Sequence, residues 1–116
     1  MIIDTHVHIY DPFRPEGAPW PEPDDLIYVT TRPDRCKEQA VPAGVDGVIV
    51  VECSGWVEDN QWVLDLVKHN PKRYIGLVGN LPIGTPQFAK HLERFAKDKR
   101  FVGLRLRSWP EGVSGF

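Results

Sequence analysis

Residues 2–8, which read IIDTHVH, combine the apolar opening of a β-strand with two histidines two residues apart. In a strand alternate side chains share a face, so this pattern places Asp4, His6 and His8 together and Val7 on the opposite face. Neutral imidazole is a preferred ligand of zinc, and two imidazoles on one face can contact one ion. We therefore predict that His6 and His8 bind a divalent metal, with zinc as the expected ion. Two hydrogen-bonded histidines of an edge strand are the alternative.

Length and composition limit the class of protein to which this chain can belong. Its 116 residues are 41% hydrophobic and 26% charged, which suits one globular domain over residues 1–116. The 14 basic and 16 acidic residues give a net charge of −2, so we expect neither nucleic acid nor a membrane as a partner. Cys36 and Cys53 lack a Cys-x-x-Cys spacing, which favours reduced thiols. Because we see neither a membrane-spanning run nor a leader, the expected location is cytoplasmic.

Strand-like and helix-like patterns alternate along the chain. Strands are predicted over four apolar runs rich in β-branched and aromatic residues, at 2–8, 47–52, 74–79 and 101–107. Helices are predicted between them, at 34–41, 58–70 and 86–99. Such alternation is typical of parallel strands joined by right-handed crossovers, so the predicted class is α/β with parallel (β/α) units.

Residues 10–33 form a long, proline-rich insert after the first strand. They hold six of the eleven prolines, which predicts a stiff, extended flap with few internal hydrogen bonds. The flap follows the carboxyl end of the first strand, the edge at which parallel α/β proteins bind ligands. Trp20 is therefore a candidate to contact substrate as part of a lid, or else it packs the flap against the domain.

The fourth predicted strand carries two arginines at its carboxyl end. Its alternation places Arg105 and Arg107 on the interior face, and Val102, Leu104 and Leu106 on the face toward the helices. An arginine in such a position is costly unless it meets an anion. We therefore predict that both arginines bind a substrate carboxylate, with internal pairing to an acidic residue as an equal alternative.

Glu52 ends the second predicted strand on the same edge of the sheet. A carboxylate there can act as a general base, orient a metal ligand or a substrate, or balance an arginine. An ion pair with Arg105 or Arg107 is the favoured role, and Asp4 is the other acidic residue available to them. Glu52 therefore joins Trp20 and the two arginines as a candidate substrate-binding residue.

One resemblance is carried by six stretches that extend over nearly the whole chain, at residues 4–12, 14–17, 19–21, 57–62, 76–81 and 103–105. Together they resemble the amidohydrolase-related, metal-dependent hydrolases of the TIM-barrel type. The nearest branch holds sugar-lactone and pyrone-dicarboxylate lactonases with related decarboxylases. The resemblance implies an eight-stranded barrel in which a metal-activated water attacks a carbonyl. It implies that His6 and His8 are metal ligands, or polarise substrate in members without a tightly held metal.

The same resemblance implies that the chain corresponds to the first half of such a barrel, about four strands. The family takes further histidines from its fifth and sixth strands and an aspartate base from its eighth, and these have no counterpart here. Three hypotheses follow. The chain is the amino-terminal part of a lactonase-like hydrolase or related decarboxylase; it forms a homodimer that closes one barrel; or it is a non-catalytic module that binds a small acid or a partner through Arg105 and Arg107.

Overall fold

The computed structural model describes residues 1–107, in which four β-strands alternate with three α-helices. The strands are β1 (Ile3–Val7), β2 (Gly47–Val51), β3 (Tyr74–Gly79) and β4 (Phe101–Leu104). The helices are α1 (Pro33–Ala40), α2 (Val57–Val67) and α3 (Phe88–Ala96). The predicted alternation is confirmed, although β4 ends at Leu104, three residues before the predicted boundary.

The four strands form one sheet in the order β1-β2-β3-β4, and all three pairings are parallel. Each strand therefore pairs with its neighbour in sequence, and a helix makes each return crossover, as parallel pairing requires. Within residues 1–107, β1 and β4 each pair along one edge only. The sheet is thus an open series of (β/α) units whose carboxyl ends share one edge.

The helices pack on the sheet through one apolar cluster. Its largest fully buried side chains are Val48, Val50 and Leu77 from the sheet and Leu64 and Phe95 from the helices. Burying each of these contributes about 1.5–3 kcal/mol relative to exposure. The cluster therefore fixes the sheet against its helices and holds the strand ends in place.

The face prediction for the fourth strand is partly wrong. Leu104 packs against the core as expected, but Val102 and Leu106 are exposed. The pairing register shifts between Leu77 and Val78, so that Gly103, not Val102, lies opposite Val78. This irregularity interrupts the alternation, because an extra residue in one strand turns the following side chains to the other face.

The proline-rich flap is a closed loop and not the extended segment that its composition predicts. Tyr10 and Thr31 exchange two backbone hydrogen bonds of 2.9 and 2.8 Å, which join its two ends. The Tyr10 hydroxyl donates to the carbonyl of Ile27 at 2.9 Å. A turn at Gly17, with φ of 69°, bends the chain between these ends. The flap is therefore tied down at several points.

No helix within residues 1–107 is long and apolar enough to cross a membrane.

Candidate functional site

The two predicted metal ligands lie side by side at the carboxyl end of β1. Their ring centroids are 5.0 Å apart and the rings meet edge to face. Val7, between them, packs toward the core, so His6 and His8 occupy the opposite face. His6 is exposed and His8 is half-buried. The strand pattern thus brings together the two imidazoles as expected.

A hydrogen bond orients the ring of His8. Its Nδ1 lies 2.8 Å from the carbonyl oxygen of Val51, in the neighbouring strand. A carbonyl only accepts, so Nδ1 carries the proton, and Nε2 of the neutral ring keeps its lone pair. Metal-binding histidines commonly donate their second ring N–H to a backbone carbonyl in this way. The bond therefore leaves the lone pair of Nε2 of His8 outside this contact.

A third protein ligand is absent from the described part of the chain. Within residues 1–107 no three side chains of His, Cys, Asp or Glu are placed to hold one ion. A catalytic zinc needs about three protein ligands. His6 and His8 therefore fit one side of a metal site and leave the remaining positions to groups outside residues 1–107.

Asp4 does not share the face of the histidines, and that prediction is wrong. It lies opposite the buried Val48 in the sheet, and the register shifts between Asp4 and Val7. Its carboxylate accepts the backbone N–H of His6 at 3.0 Å. Because directly paired residues of neighbouring strands share a face, Asp4 lies on the face of Val48, and the register shift places the two imidazoles on the other face.

Glu52, Arg105 and Arg107 form one ion-pair cluster at the same edge of the sheet. Arg107 donates from Nε and Nη2 to the two carboxylate oxygens of Glu52 at 3.1 and 2.5 Å. Arg105 contacts the same residue more loosely, with Nε 3.9 Å from Oε1 and Nη1 donating to the backbone carbonyl at 3.4 Å. The two-point contact raises the pKa of Arg107 because hydrogen bonding to Glu52 favours the charged guanidinium. Internal pairing, one of the two predicted roles of the arginines, is therefore present.

An open groove joins the cluster to the histidines. Its volume is about 480 Å³, and its lining consists of His8, Trp20, Cys53, Arg105, Leu106 and Arg107. The ring of Trp20 lies 5.6 Å from that of His8 and 5.2 Å from that of Tyr10, both edge to face. A flap residue, an imidazole and two guanidiniums therefore face one space.

Comparisons with known proteins identify the family. The sequence profile of the amidohydrolase family matches residues 3–115. The chain belongs to the amidohydrolase family. Among solved structures, an amidohydrolase from Burkholderia multivorans with bound zinc is similar to it, with a TM-score of 0.74 and 21% sequence identity. No match was found among curated proteins.

The structural similarity covers 92% of this chain and 37% of the Burkholderia protein, so the chain spans little more than a third of its relative's length. The predicted fold class, parallel (β/α) units forming part of a TIM-type barrel, is confirmed. Ligand sites of such barrels lie at the carboxyl ends of the strands. That is the edge where the groove of this amidohydrolase chain lies.

Sequence reasoning missed Arg14, which pins the flap. Its side chain is only 4% exposed, and Nη2 donates to Oδ1 of Asp59 in α2 at 2.7 Å. Nε donates to the carbonyl of Gly17 at 2.6 Å, and the guanidinium lies 4.3 Å from the ring centre of Trp62. The signal in the sequence was weak because Asp59 and Trp62 lie far from Arg14 along the chain. Arg14 therefore ties the flap to α2.

Asp11 is a second buried anchor of the flap. It accepts hydrogen bonds from Nε of Arg32, the hydroxyl of Thr30 and the backbone N–H of Phe13 at 2.8, 3.1 and 3.0 Å. Burial alone would raise the pKa of Asp11, but these hydrogen bonds outweigh it and hold the pKa below its ordinary value of 3.8. Asp11 therefore stays ionised and holds the two ends of the flap together.

Cys53 lines the groove but is a weak nucleophile. Burial, reinforced by the nearby charge of Glu52, raises the pKa of its thiol to about 12. Burial likewise raises the pKa of Cys36. Because the thiolate is the reactive form, a raised pKa lowers the reactivity of both thiols at neutral pH.

Proposed function

We propose that this chain forms part of the active site of a metal-dependent hydrolase, in which His6 and His8 supply two ligands to a divalent metal, zinc. The observation that carries the proposal is the hydrogen bond from Nδ1 of His8 to Val51, which leaves Nε2 free beside His6. The zinc of the Burkholderia amidohydrolase supports the choice of ion. Such an ion, when bound, polarises a carbonyl and lowers the pKa of a water molecule.

The substrate that we propose is a lactone or a related small carboxylic acid. A groove of about 480 Å³ lies within the size range of small-molecule sites. Arg105 is half-exposed and makes only long contacts with Glu52, so it retains donors for a substrate carboxylate. Arg107, held by Glu52, would complete this positive wall, and Trp20 would cover the substrate from the flap.

The remaining ligands and the base that activates water would come from strands outside this chain. These strands would belong to a longer polypeptide or to a second copy of the chain, which would pair with the open edges of β1 and β4. Activity is accordingly a property that we propose for the closed barrel. Light scattering of the purified chain, with metal analysis on the same peak, distinguishes a second copy from a longer polypeptide as the source of these strands. A homodimer with bound metal would favour the second copy.

Calorimetric titration of the purified chain with zinc tests the assignment of His6 and His8 as metal ligands. We expect His6→Ala and His8→Ala each to weaken zinc binding at least tenfold, because each removes one of two ligands. His69→Ala and His91→Ala are matched controls, since one follows α2 and the other lies in α3, away from β1. Equal affinity for all four variants would contradict the proposal.

The reaction class is tested by the product. Opening of a lactone by water releases a hydroxy acid and one proton, whereas decarboxylation of an acid releases carbon dioxide. A pH-indicator assay and a carbon dioxide assay on the closed barrel, run with the same carboxylated lactones, separate these outcomes. We expect the closed barrel to release protons and the His8→Ala variant to lose this release. Release of carbon dioxide in place of protons would contradict hydrolysis.

A non-catalytic acid-binding module is the second candidate, and the exposed guanidinium of Arg105 favours it. In that case binding of a small carboxylate survives His6→Ala and is lost in Arg105→Ala, while the closed barrel has no hydrolase activity.

A further inference from the structure

Glu52 is the only carboxylate that contacts the two arginines of the groove in the part of the chain described. Its side chain is 5% exposed, whereas those of Arg105 and Arg107 are 45% and 51% exposed. A buried carboxylate needs a charged partner, and here the two-point contact with Arg107 supplies it. Glu52 therefore fixes the direction of Arg107 and draws Arg105 toward the same point.

The charges of this cluster do not cancel. Two guanidiniums and one carboxylate leave one net positive charge, and this charge lies on the half-exposed wall that faces His8 and Trp20. A ligand with one carboxylate balances that charge. A second carboxylate on the same ligand would meet the field of Glu52, and the described residues that line the groove include no further arginine or lysine to offset it.

We infer that Glu52 is a specificity-determining residue, which makes the groove without bound metal select ligands with one carboxylate over ligands with two. The inference rests on the proposed function only for the position of the ligand, because it concerns binding and not the metal. Glu52 acts through the arginines and through its charge, so it is a positioning residue.

The test compares two probes that share one ring, benzoate with one carboxylate and isophthalate with two. Their dissociation constants are measured by NMR titration of the arginine Nε–H signals in metal-free buffer. The native chain should bind isophthalate no more tightly than benzoate. Glu52→Gln should shift the ratio of the two constants toward isophthalate by about tenfold, the size expected for one unit charge several ångströms away in a half-exposed site.

Matched variants separate this role from a structural one. Glu58→Gln makes the same change in another two-point pair, with Arg94 on the exposed surface of the helices, and should leave the ratio unchanged. Glu52→Asp keeps the charge and should keep the preference. Arg107→Gln removes a positive charge and should move the ratio away from isophthalate, which provides a test if Glu52→Gln fails to fold.

An unchanged ratio in Glu52→Gln, or an equal shift in Glu58→Gln, would overturn the inference. No binding of either probe to the native chain would overturn it as well. Because these titrations contain no metal, their failure leaves the zinc titration of the histidine variants unaffected, and failure of the zinc titration leaves the anion preference standing.

Discussion

Arg14→Met removes the guanidinium that anchors the flap while keeping a side chain of similar length. The change leaves Oδ1 of Asp59 and the carbonyl of Gly17 without their donors and removes a charge 4.3 Å from the ring centre of Trp62. Removing one partner of a buried ion pair costs about 3–5 kcal/mol. Asp59 is 18% exposed and recovers some hydration, so we expect a loss of about 2–4 kcal/mol.

Urea unfolding of the purified chain, followed by circular dichroism, measures this loss. With an m-value of about 1.5 kcal/mol/M, a loss of 3 kcal/mol lowers the midpoint by about 2 M. Arg94→Met is the matched control, because its partner Glu58 is exposed and such pairs contribute about 0–1 kcal/mol. Equal midpoints for Arg14→Met and Arg94→Met would refute the assignment of Arg14 as the anchor of the flap.

Three further predictions concern the pH dependence, the packing and the thiols. The lowered pKa of Asp11 stabilises the fold at pH values above 3.8, the ordinary pKa that applies in the unfolded chain. This contribution is lost as the pH falls through the lower pKa of the folded chain. Acid titration of Asp11→Asn should therefore show a flatter profile of stability against pH than that of the native chain. Gly79→Ala places a Cβ against the side chains of Phe101 and Asn60 and should cost about 1–3 kcal/mol in urea unfolding, whereas Gly103→Ala, with its nearest contact at 3.8 Å, should cost clearly less. Cys53, with a pKa of about 12, should resist a thiol reagent at pH 8 until the chain is unfolded in urea, and fast labelling of the folded chain would contradict the raised pKa.

The alternation of strands and helices could be read from the sequence because each pattern is local. Apolar runs such as residues 47–52 and 74–79 match β2 and β3 within one residue, since both are central strands of the sheet and mostly buried. Pro33 occupies the first turn of α1, where a missing N–H costs nothing. The parallel α/β class therefore followed from periodicity and from the positions of Gly and Pro, whereas the TIM-type barrel rested on the family resemblance.

The site was only partly predictable, because some of its features depend on contacts between distant segments. Alternation placed His6 and His8 together, but it could not reveal the register shift that turns Asp4 away. The pair between Arg14 and Asp59 joins residues far apart in the chain and has no local pattern. The sequence left open whether Arg105 meets an internal anion or a substrate, and only the geometry places it beside Glu52.

The protonation of His8 tests the central claim most directly. A long-range nitrogen–proton NMR spectrum of the imidazole rings assigns the tautomer of each histidine before and after zinc is added. We expect His8 to carry its proton on Nδ1 in the metal-free chain, and zinc to shift Nε2 of His8 together with a ring nitrogen of His6. A proton on Nε2 of His8, or zinc shifts confined to His69 and His91, would contradict a metal site at the end of β1.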